Sequence, residues 1–136
     1  MGTEKKVLTD DEIINELLSR VIKDRNKTVF IYDTYHELTS EQNPNITDMA
    51  VIRIRSIIKG YGIADVAETN RALIWENKLT SNIINEYGSF IKYKEHLHKE
   101  EKIKSRREKW SFIITIIGLT VAVLTLLVLT FTYFKN

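Results

Sequence analysis

The chain has no cysteine and one proline, and only five of its 136 residues are glycine. Without thiols there is no disulfide framework, no thiolate nucleophile and no cysteine-ligated zinc. So little glycine and proline leaves no room for long flexible linkers. GxxxxGK and GxGxxG loops, HExxH and GxSxG are also missing. With no nucleophile–base pair and no phosphate loop, the residues predict a non-enzymatic protein with no cofactor and no metal. The remaining absence is local: between Trp110 and Phe134 there is no charged residue.

An uncharged run of 25 residues reaches about 37 Å as a helix, enough for a bilayer core of about 30 Å. Trp110 and Phe112 at one end, and Phe131, Tyr133 and Phe134 at the other, read as interfacial anchors. The remainder of the chain is too small to bury a helix that is apolar nearly all round. Residues 1–91 hold eleven Lys/Arg against fourteen Asp/Glu, whereas residues 92–109 hold eight against four. The basic excess therefore adjoins the apolar run. Lys102, Lys104, Arg106, Arg107 and Lys109, with Trp110, are expected at the membrane surface, where each cation near an anionic leaflet contributes about 1 kcal/mol. Only Lys135 follows the run. The positive-inside rule then predicts a single-pass, tail-anchored inner-membrane protein, N-terminus cytoplasmic and C-terminus outside.

Ahead of the run, "LTDDEIINELLSRVIKDRN" opens with a capping box, Thr9 and Glu12, and carries a helical apolar stripe, predicting a helix over about 10–25. "TVFIYDTYHEL" fits a strand or the start of a second helix, so residues 28–45 have no single reading. "TSEQNPN" reads as a loop. In "ITDMAVIRIRSIIKGYGI", Val51, Ile54, Ile57 and Ile58 share one face, with Gly60 as the expected terminator. "YGIADVAETNRALIWENKLT" predicts two short strands around Asn70-Arg71. "LTSNIINEYGSFIKYKEHLHKEEK" begins a short helix, breaks at Gly88 and restarts as a charged helix.

A helix, then a helix followed by a hairpin, then a closing helix is the order of a winged helix. "KGYGIADV", the hairpin, Leu79-Thr80, Gly88, Phe90 and Tyr93 together resemble a winged-helix domain of small, largely uncharacterised bacterial membrane-anchored proteins, over residues 46–134. Ser89 stands where a second glycine is common. The resemblance implies a fold and a topology and carries no activity. The expected fold class is α+β, mainly α. It comprises a small winged-helix-like domain (1–91), a basic juxtamembrane stalk helix (92–109) and one C-terminal transmembrane helix (110–134).

Winged helices commonly set their third helix in a major groove. Arg55 and Lys59 lie opposite the apolar stripe, with Arg53 nearby and Arg71 at the wing, a possible nucleic-acid or partner face. The net acidity of residues 1–91 disfavours DNA, because duplex binders present a basic footprint. Asp33, His36 and Glu37 in "DTYHE" read as a polar helix face, and His96 and His98 point apart on a helix. Within the apolar run, alternating four- and three-residue steps give Ser111, Thr115, Gly118, Ala122, Thr125, Leu129 and Thr132, all but Leu129 small or hydroxylated. That is a seam on which two spans can pack closely. The expected role is a membrane-tethered interaction or adaptor module. Its partners are the lipid bilayer and a protein, or another span through self-association. The alternatives are a membrane-bound DNA-binding regulator and a small membrane effector, for defence or phage exclusion, acting through assembled spans.

Overall fold

The computed structural model describes residues 7–24, 26–69 and 71–135, with the backbone alone for Lys135. It is mainly helical, with one small three-stranded sheet and a long C-terminal helix. Its contacts divide it into two units, the first ending at Glu95 and the second beginning at His96.

Helix α1 (Asp10–Lys23) starts with the expected capping box: Thr9 Oγ1 accepts from the Glu12 amide, and the Glu12 carboxylate accepts from the Thr9 amide. It ends slightly short of the sequence expectation. Asp24 turns extended, and its carboxylate accepts the amides of Asn26 and Thr28, each at 3.2 Å, which draws the chain out of the helix. Arg25 lies outside the described residues.

The ambiguous stretch is both things in turn: strand β1 (Thr28–Phe30) runs directly into helix α2 (Ile31–Thr39). Phe30 supplies no side-chain cap. The first amides of α2 are satisfied instead by distant backbone, Ile31 N–H donating to Ala72 O and Tyr32 N–H to Arg71 O. Ser40, in the left-handed region, closes α2.

Helix α3 (Pro44–Tyr61) begins earlier and ends later than its apolar pattern suggests. Pro44 is its first residue, where a missing N–H costs nothing, and Asn43 is the N-cap. The terminator is Gly62, at φ 63°, rather than Gly60.

Strands β2 (Asp65–Val66) and β3 (Leu73–Trp75) form the expected hairpin. The Asn70 position of its turn lies outside the described residues. The sheet is antiparallel with order β1-β3-β2; Ile74 pairs with Val29 on one side and Val66 on the other.

Helix α4 (Lys78–Asn82) passes into a wider π turn, Ile83–Tyr87, before Gly88 at φ 73° breaks the chain. Helix α5 (Phe90–Lys135) then begins. Its first turn belongs to the first unit. Phe90 is fully buried, its ring meets Tyr61 edge-on at 5.3 Å, and its amide donates to Asn15 Oδ1 at 2.6 Å. Lys94 pairs with Asp11 at 2.7 Å.

The core joins Ile13, Leu17, Leu18 and Val21 of α1, Ile54 and Ile58 of α3, Ile74 of β3, Ile83 and Phe90. Every member lies between Ile13 and Phe90. In the second unit, α5 is long and apolar enough to cross a membrane, and its apolar side chains are exposed.

Candidate functional site

The solvent side of α3 carries both apolar and cationic side chains. A helix turns 100° per residue, so the buried Thr47, Ala50, Val51, Ile54 and Ile58 form one face and leave the opposite one to water. That opposite face is not polar. Met49 is 69% exposed, Ile52 54% and Ile46 46%. Three large apolar side chains within two turns exceed the scattered single exposures that any soluble surface carries.

The four cations expected on this side fall into two groups. Arg53 and Lys59 are already engaged. The Arg53 guanidinium grips both carboxylate oxygens of Asp10 on α1, with Nη2 to Oδ1 at 2.7 Å. Lys59 Nζ meets Glu68 Oε1 at 2.6 Å, and this contact holds the Glu68 carboxyl below the usual carboxylate range, with the Arg55 charge adding to the effect.

Arg55 and Arg71 are brought together across an open depression of about 540 Å³, also lined by Tyr32, Asp48, Ile52 and Glu68. The fold places Arg71 there through its backbone: its carbonyl accepts the Tyr32 amide, and Ala72 beside it is buried at φ 48°. The depression is of mixed charge, with two arginines against Asp48 and Glu68.

Other sequence candidates are placed without forming a site. No group of three or more metal-ligating side chains occurs among the described residues. His96 and His98 lie beside Glu100 and Glu101, at 3.9 and 3.6 Å, on separate sides of α5. Lys102, Lys104, Arg106, Arg107, Lys109 and Trp110 are all exposed on α5.

Along the seam, Thr115 donates its hydroxyl to Ser111 O, Thr125 to Val121 O and Thr132 to Val128 O, at 2.8–3.0 Å. These protons are used within their own helix. Gly118 has open space around the position a Cβ would take.

Sequence reasoning missed the apolar row. Helical projection of α3 contained the signal, since Met49 and Ile52 fall opposite Ile54 and Ile58. It also missed Asp48, Glu68 and Tyr32 as neighbours of the arginines, because that proximity arises from chain folding. Comparison with family models, curated proteins and solved structures finds no match.

Proposed function

We propose that the protein is a membrane-tethered interaction module: a winged helix whose third helix docks a protein, held at the membrane by the apolar part of α5. The order α1-β1-α2-α3-β2-β3, with β3 between the other two strands, supports the winged-helix reading. The apolar length of residues 110–134 and the basic cluster from Lys102 to Lys109 support a span with the folded unit on the cytoplasmic side.

The observation that carries the reading is the outward face of α3. On a DNA reader this surface is cationic and polar, since phosphates and base edges are its targets. Here Met49 and Ile52 occupy its centre, and Arg53 and Lys59 are neutralised by Asp10 and Glu68. Exposed apolar side chains rimmed by charge are the composition of a protein interface.

The test is a photo-crosslinking side chain at position 49 of the full chain in cells. A discrete protein adduct is expected, and it should disappear when Ile52→Glu is added. A salt-sensitive shift of duplex DNA by the full chain in mild detergent, lost in Arg55→Glu, would instead establish the DNA-binding regulator.

A further inference from the structure

Asp48 and Arg55 stand in one row on α3, with Ile52 about 40–60° beside that row and Met49 about 100° from Asp48 around the helix. Seven residues at 1.5 Å each place them about 10 Å apart and about 20° out of line. Neither takes part in an ion pair among the described residues, whereas Arg53 and Lys59 beside them do. The face thus presents a carboxylate and a half-buried arginine two turns apart, neither in a close ion pair among the described residues, with Glu68 near enough to Arg55 to feel its charge.

We propose that the occupant of this face is a second copy of the chain, with the two α3 helices packed antiparallel about a two-fold axis at the level of residues 51–52. The proposal rests on reading the α3 face as a protein interface. A two-fold contact is self-complementary: if one residue meets another, the reverse contact is made as well. In this register Asp48 of each copy meets Arg55 of the other, so a single pattern of charge is satisfied twice. Asp48 of the second copy enters the depression where Arg55 and Arg71 converge. Ile52 meets Ile52 at the axis, and on the other flank Met49 meets Ser56 of the other copy. The parallel in-register arrangement is disfavoured by the same charges, because it opposes Asp48 to Asp48 and Arg55 to Arg55. An unrelated helix would need its own anion and cation at a two-turn spacing; this chain already carries them.

The contact is small. Three apolar side chains and their rim fall short of the roughly 1,000 Å² that a self-sufficient interface buries. Pairing therefore depends on both copies being held on one membrane, where tethering raises their effective concentration.

The absence of cysteine makes the test clean. The full chain carrying Ile52→Cys, in native membranes under mild oxidation, should form a disulfide-linked dimer, because residues on the axis of two helices packed 8–10 Å apart come within bonding range. Asn45→Cys, displaced about 10 Å along the helix from the axis, should link at least ten-fold less. Adding Asp48→Arg to Ile52→Cys should cut the dimer about five-fold, and Arg55→Asp should do the same. The two reversals together should return it to within about two-fold of the parent.

Equal linking at positions 45 and 52 would mean that proximity alone, and not this register, produces the dimer, and would overturn the proposal. Failure of the double reversal to rescue would overturn it as well. If position 49 captures a different protein and Ile52→Cys stays monomeric, the second copy is wrong while the protein-interface reading stands. If position 49 captures nothing and the chain shifts DNA, both fall.

Discussion

Thr80 shows how much one buried hydroxyl can organise. Its Oγ1 donates to Ile63 O at 2.5 Å and accepts the Asn77 amide at 3.1 Å, while Asn77 Oδ1 accepts the amides of Leu79 and Thr80. The Asn77 side-chain Nδ2 donates to Gly62 O at 3.0 Å. The end of α3, the strand exit and the start of α4 are thus joined through two side chains. Thr80→Val keeps the shape but leaves a buried carbonyl and an amide unpaired, so urea unfolding of residues 1–109 should show a loss of about 1–3 kcal/mol. Phe90→Ala empties a fully buried ring site and should cost about 3–5 kcal/mol in the same measurement. Unchanged stability in that variant would mean that the start of α5 is not part of the folded unit. Three carboxylates set the response to acid. Arg20 holds Glu37 below the usual carboxylate range, Lys59 does so for Glu68, and Lys27 with Ser81 for Glu76. A lowered folded value means stability that is present above the ordinary glutamate value of about 4.3 and lost as the pH falls through the lowered one. Stability should therefore decline below about pH 4, and Glu76→Gln should make that decline shallower. An unchanged acid profile in Glu76→Gln would remove Glu76 from this account.

Among the helices, α3 and α5 each carry two roles on one cylinder. Helix α3 buries Val51, Ile54 and Ile58 and exposes Met49 and Ile52, so it cannot satisfy all its apolar surface within the fold. Met49→Gln and Ile52→Gln should leave urea stability within about 0.5 kcal/mol, as for surface changes elsewhere, and Ile52→Gln should weaken capture by the crosslinking side chain at position 49. Loss of stability instead would mean that these side chains belong to the core. In the apolar part of α5, the threonine protons are spent on i−4 carbonyls. On the membrane-tethered reading proposed above, close approach at Gly118 and Ala122 would be the chief drive for two spans to associate. In a membrane two-hybrid assay Gly118→Ile should lower the signal several-fold, whereas Thr115→Val and Thr125→Val should change it little. Equal effects from all three would return the threonine hydroxyls to the contact.

For the molecule as a whole, the confinement of the core between Ile13 and Phe90 carries a direct consequence. Removing residues 110–136 should leave a soluble, cooperatively folding unit, checked by circular dichroism and a single urea transition. An insoluble or molten product would show that the apolar helix contributes to the fold. On the membrane-tethered reading proposed above, the basic cluster from Lys102 to Lys109 should keep the folded unit on the cytoplasmic side. Protease added outside intact cells should then leave it uncut, and its digestion would reverse the topology.

Local chemistry was legible in the residues alone. Thr9 and Glu12 announce the start of α1, and Ile13, Leu17 and Val21 its buried face. The uncharged run from Trp110 announces a membrane-length helix. All of these depend on neighbours within a turn or two, which a helical period exposes directly. The hairpin was legible for a similar reason, since its strands are close in sequence. The strand-to-helix switch at Phe30–Ile31 was not, because the amides of α2 are capped by Ala72 and Arg71, some forty residues away. Nor were the fates of the four cations on α3 and the β2–β3 hairpin. Arg53 is neutralised by Asp10, and Lys59 by Glu68, while Arg55 and Arg71 line one depression together with Asp48 and Glu68. A side chain's charge is written in the sequence, but whether that charge is already answered depends on which distant residue the folded chain brings within about 4 Å of it, and Coulombic and hydrogen-bond energies fall off over that distance.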